Sequence, residues 1–168
     1  MLTTYRILSY LLLLVASFIG LGVLMLLMGA FSNPTILLSV FVAGGVVLYS
    51  FSSFQFLTKG INRNQKLKPG RKDFIKVNAY VALFFGVMNL FQSVTLIADP
   101  KILNEVLGQV EKGFPQEMPL KKEQLYDIIR GVLFFLMVYA IALVVHVQLT
   151  FRLLRKFATV FQPEDQVQ

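Results

Sequence analysis

Four apolar runs divide the chain, at residues 5–31, 35–57, 77–97 and 128–151, and no Asp, Glu, Lys or Arg falls in the central part of any of them. An α-helix rises about 1.5 Å per residue, so roughly 20 apolar residues cross a hydrocarbon layer about 30 Å thick. The pattern predicts an all-α, polytopic membrane protein: four transmembrane helices in two antiparallel hairpins, forming a single four-helix domain over residues 1–168. Between the first two runs stands only Ser32-Asn33-Pro34, a tight turn in which Pro34 suits the first position of the second helix.

Within each run the small and polar residues fall on one narrow stripe when plotted at 100° per residue. The stripes are Ser9, Ala16, Gly20; Ser39, Ala43, Ser50, Ser53; Asn78, Ala82, Gly86, Asn89, Ser93, with Gln92 at the edge; and Tyr139, Ala142, His146, Thr150. Small residues let membrane helices approach closely and polar ones seek partners across the interface, so the stripes are expected to face one another. A faint internal repeat accompanies them. Arg6, Tyr10, Leu13 and Ala16 align with Lys76, Tyr80, Leu83 and Gly86 at an offset of 70, and Phe54, Leu57 and Lys59 align with Phe151, Leu154 and Lys156 at an offset of 97. So few matches also arise by chance between helices of like composition; a true duplication would be parallel, not inverted.

The polar stretches differ in character. The loop 58–76 holds Lys59, Arg63, Lys66, Lys68, Arg71, Lys72 and Lys76 against the single acid Asp73, while the loop 98–127 balances acids and bases. Arg6, Arg152, Arg155 and Lys156 flank the terminal runs on the side of the basic loop. The positive-inside rule therefore places both termini and residues 58–76 in the cytoplasm. Signal-peptide cleavage is not expected, because the first apolar run is too long and MGAFS is a poor small-residue site. In the loop 98–127, residues 99–113 read as a short amphipathic helix with Asp99 as N-cap, Pro100 at the first position and Gly113 as the stop. Its apolar side, including Ile102, Val106 and Val110, lies on its own bundle or the membrane surface, or docks a partner.

Composition narrows the chemistry. The 168 residues are 56% hydrophobic and 15% charged, with net charge +7, one histidine and no cysteine. Disulfides, thiolate metal sites and cysteine nucleophiles are excluded, as is any site needing two imidazoles from one chain. No phosphate-binding glycine loop, Ser-His-Asp order or paired carboxylates are present, so no cofactor is expected and catalysis has no evident residues. The lack of a central charge counts against ion-coupled transport. Lys59, Arg63, Lys66, Lys68, Arg71 and Lys72 set topology and are also candidates for contact with anionic lipid headgroups. Nucleic-acid binding is not expected, since Phe74 is the loop's one aromatic.

His146 remains. It lies roughly 7 Å from the midplane of its run toward the basic side, level with Ser50 and with Ser53 one turn away. With Asn78, Asn89 and Gln92 these residues are candidates for an intramembrane polar cluster, either as interhelical glue or as the lining of a path. The general layout resembles that of small four-span bacterial inner-membrane proteins, without a motif that singles out one family. The function expected from these features is an accessory or scaffold subunit of a larger inner-membrane complex, its partners being lipids and other integral-membrane proteins, with a second copy of the chain left open. The alternatives are a small-molecule transporter or channel with a weakly polar path, and a quinone- or lipid-binding enzyme component centred on His146.

Overall fold

The computed structural model describes residues 1–30, 36–113 and 122–162. The expected turn around Pro34 lies outside the described residues. Among the described residues five α-helices follow in order, α1 (Leu2–Ala30), α2 (Ile36–Gln55), α3 (Gly70–Ala98), α4 (Pro100–Gly113) and α5 (Lys122–Lys156), with a π-helical segment at Phe56–Asn62 and a 3₁₀ turn at Ala158–Phe161. The protein is all-α, and four of its helices are long and apolar enough to cross a membrane, as the hydropathy pattern predicts.

The helices outrun the apolar runs. α3 begins at Gly70 rather than near residue 77, and α5 spans Lys122–Lys156 rather than 128–151. Hydropathy marks only the stretch that sits in hydrocarbon; beyond it, Lys, Arg, Glu and Gln are good helix formers and nothing stops the backbone ladder. What stops α3 is local. α3 ends where Pro100 lacks the amide to continue, and Asp99 then caps α4, its carboxylate accepting from the Lys101 amide at 2.9 Å.

The chain divides into two compact units, Met1–Phe85 with Ala142–Gln168, and Gly86–Ile141. In the first, α1 and α2 run antiparallel: the Tyr5 hydroxyl donates to the Ser53 carbonyl at the basic end, while a Cβ on Gly29 would stand 3.8 Å from Ile36 at the far end. At Gly45 α2 and α3 approach closely, so that an added Cβ would meet Val81 of α3 at 2.5 Å. The small stripes face inward in most positions: Ser9, Ala16, Ser50, Ser53, Asn78, Ala82, His146 and Thr150 are buried, whereas Ser39 is exposed.

The basic end of this unit is tied together. The π segment winds wider than an α-helix and closes with Asn64 at φ 50°, so that the Gln65 amide reaches back six residues to the Lys59 carbonyl. Asn tolerates the left-handed region that such a helix end requires. The 3₁₀ turn packs onto it: the Leu67 amide donates to the Val160 carbonyl at 2.8 Å, and the Phe56 and Phe161 rings lie 5.4 Å apart. Gly60 makes room, since a Cβ there would stand 3.2 Å from both Leu67 and Val160.

The internal repeat extends well beyond the matching letters. The buried positions Tyr5, Ser9, Leu12 and Ala16 of α1 recur 70 residues on as buried Ile75, Ala79, Ala82 and Gly86. Those of α2 and the π segment, Val46, Tyr49, Ser50, Ser53, Phe56 and Leu57, recur 97 residues on as buried Leu143, His146, Val147, Thr150, Leu153 and Leu154. Gly45, Ser52 and Gly60 depart from this, their counterparts Ala142, Leu149 and Phe157 being half-buried, as does Ala30 of α1, whose counterpart Pro100 is exposed. Contacts recur as well, for Tyr10 meets Phe54 and the equivalent Tyr80 meets Phe151, both with ring centroids 5.2 Å apart.

In the second unit Leu103 of α4 and Leu125 and Leu133 of α5 are buried. A cavity of about 550 Å³ lies there between α4 and α5, lined by Asn104, Leu107, Gly108, Glu123, Leu125, Tyr126 and Asp127.

Candidate functional site

His146 sits where α1, α2 and α5 converge and is fully buried, at 0% exposure. Helical phase on α5 turns it inward with Leu143, Val147 and Thr150, all at 0%. Nε2 lies 2.8 Å from the Ser9 hydroxyl of α1, and Nδ1 lies 2.8 Å from the Tyr49 hydroxyl of α2. The Tyr5 ring stacks on the imidazole, 4.6 Å between centroids and 3° from parallel. The Tyr49 hydroxyl also lies 2.8 Å from Thr150 Oγ1.

A donor count orders these bonds. The Thr150 hydroxyl donates to the His146 carbonyl one turn back, at 2.9 Å. Thr150 Oγ1 is then the acceptor for Tyr49, whose oxygen in turn accepts from Nδ1–H, leaving Nε2 to accept from Ser9. The proton positions follow from this count and not from observed hydrogens. The result is a singly protonated ring with both nitrogens engaged within the chain, as a buried polar group in hydrocarbon requires.

The serines expected to hold His146 do something else. Ser50 and Ser53 are buried on the expected face, but Ser50 donates to the Val46 carbonyl at 2.9 Å and Ser53 to the Ser50 carbonyl at 3.0 Å. Serine in a helix has its own carbonyls three and four residues back within reach, and these two hydroxyls use them. Asn78 does likewise, donating to the Phe74 carbonyl at 2.9 Å. Asn89, half-buried, and Gln92, exposed, belong to the second unit. The partners that sequence reasoning did not assign to His146 are Ser9, already on its inward stripe, and Tyr5 and Tyr49. Both tyrosines occupy inward positions of their helices, beside stripes that do not include them.

The six candidate lipid contacts of the basic loop are not one patch. Lys59 and Arg63 are exposed on and just after the π segment, and the Lys66 ammonium donates to the Thr159 carbonyl at 3.0 Å. Lys68 and Arg71 instead line a groove between α2 and the start of α3, where the Arg71 guanidinium donates to the Gln55 side chain. Lys72 is half-buried, its amide bonded to the Pro69 carbonyl at 3.1 Å. Of the docking candidates on α4, Ile102, Val106 and Val110 are each half-buried, beside buried Leu103. Compared with known protein families, curated proteins and solved structures, the chain matches none, so its function is read from its own residues.

Proposed function

We propose that the chain is an accessory or scaffold subunit of a larger complex in the bacterial cytoplasmic membrane, with both termini and the basic loop on the cytoplasmic side. The observation that carries this reading is the far half of α1. From Leu21 to Gly29 every residue is exposed except half-buried Val23, and the exposure reaches 75% at Met25 and 78% at Met28. Leu38 and Phe41 at the start of α2 are 72% and 67% exposed. Two turns of helix that bury almost nothing within their own compact unit offer apolar surface to neighbouring spans, and methionine adapts to irregular partners. His146 supports the same reading from inside, because its engaged nitrogens leave neither a transport path nor a quinone a free group at that position.

A photo-crosslinking residue in place of Met25 or Met28, read in cells, tests the proposal. A discrete adduct with a different protein is expected, and the same protein co-purifies in mild detergent. Adducts only with lipid, or only with a second copy of the chain, overturn it.

A further inference from the structure

We infer that the groove between α2 and the start of α3 is a binding site for a single anionic phospholipid of the bilayer. This stands whether or not the chain has a protein partner. The groove, about 540 Å³, is lined by Leu48, Phe51, Ser52 and Gln55 of α2 and by Lys68, Gly70, Arg71 and Phe74. Leu48, Phe51, Ser52 and Gln55 form one stripe of α2, spaced three, one and three residues apart and so spanning about 10 Å along the axis.

Polarity changes along that stripe in the sense a phospholipid needs. Toward the middle of α2 stand Leu48 and Phe51, faced across the groove by Phe74, and these are 49%, 54% and 47% exposed. At the other end Gln55 holds the Arg71 guanidinium by one of its donors, which leaves the others to turn toward a phosphate. Lys68 stands at the same end, and both cations are exposed. Asp73 is the one acid nearby in sequence, and Lys76 already engages it at 3.4 Å. A headgroup phosphate therefore meets two cations at the interface, while an acyl chain follows Phe51, Phe74 and Leu48 into the hydrocarbon. A soluble anion satisfies only the first half of this arrangement, and a zwitterionic lipid brings a cation of its own against Lys68 and Arg71.

The chain has no tryptophan, so Phe51→Trp places its one tryptophan in the groove, to be excited apart from the six tyrosines. Reconstituted in phosphatidylcholine vesicles, this variant is titrated with phosphatidylglycerol or phosphatidylcholine brominated in mid-chain. Phosphatidylglycerol is expected to quench at a far lower mole fraction. Lys68→Ala with Arg71→Ala is expected to weaken that preference by roughly 30-fold, the factor implied by two basic residues at about 1 kcal/mol each. Lys59→Ala with Arg63→Ala removes the same charge outside the groove and is expected to preserve it. Equal quenching by the two lipids overturns the proposal, as does equal loss in both double variants, which marks diffuse surface charge. Competition by soluble glycerol phosphate also overturns it, since the acyl chain then contributes nothing. Native mass spectrometry of the unsubstituted chain, expected to retain one phosphatidylglycerol and no phosphatidylcholine, reads the same preference without a new residue.

Discussion

Tyr49 and Tyr139 are both buried phenols in membrane-crossing helices, yet their hydroxyls are in opposite circumstances. That of Tyr49 lies 2.8 Å from both His146 and Thr150, whereas that of Tyr139 has no hydrogen-bond partner among the described residues. Tyr49→Phe is expected to lower stability by about 1–2 kcal/mol, in line with interhelical hydrogen bonds at the strong end of the membrane range. Tyr139→Phe removes an unsatisfied group and is expected to be neutral or stabilising by up to about 1 kcal/mol. Unfolding of the two variants in mixed micelles checks the contrast, which fails if both lose stability alike. His146→Ala leaves a cavity and strands Ser9, and a loss of about 3–5 kcal/mol is expected in the same assay. That His146 points inward is legible in helical phase; its partners are not. Ser50 and Ser53 share its depth and face, but choosing between a carbonyl on the same helix and an imidazole across the interface is a matter of ångströms that a one-dimensional pattern does not hold.

Among the elements, the spans were legible because hydrophobic length is a coarse quantity with a fixed standard, and the cap of α4 because Asp99-Pro100 is a local signal. The π segment was not. Phe56–Asn62 has no composition that separates it from the α-helix before it, and its wider winding accompanies the packing of Val160 and Leu67 against Gly60. Close approach makes two glycines sensitive in different ways. Gly45→Ala drives a methyl against Val81 and is expected to cost about 1–3 kcal/mol by overpacking, while Gly22→Ala, with open space around it, costs nothing measurable. Thermal unfolding of the pair checks this; equal behaviour means that α2 and α3 are not packed as described. Gly60→Val is expected to release the 3₁₀ turn, seen as faster hydrogen exchange at the Leu67 amide, which bonds to Val160.

For the molecule as a whole, the orientation argued from charge is directly testable in a chain that lacks cysteine. Single cysteines at Thr3, Gln65 and Gln162 are expected to react with an impermeant maleimide only after the membrane is opened, and one at Lys101 in intact cells. The reverse pattern inverts the topology. The repeat is where structure adds most to the sequence. A handful of matching letters at offsets of 70 and 97 is weak, because lipid-facing positions accept any apolar residue and dilute the match. The buried positions of the first hairpin, which do not, recur for the most part, although Asn78, Ser93, Tyr139 and Ala140 of the second have only half-buried counterparts.

That correspondence places Tyr49 and His146 at equivalent positions of the two hairpins, 97 residues apart, and in contact with each other, their rings 5.6 Å apart and near perpendicular. Where two identical subunits meet about a two-fold axis, a residue beside the axis confronts its own twin, so two phenols or two imidazoles must share one small space. A single polypeptide escapes that rule, because each half takes its own side chain there. The donor–acceptor pair at the heart of this protein is thus an asymmetry that a two-fold pair of identical hairpins cannot reach on its axis.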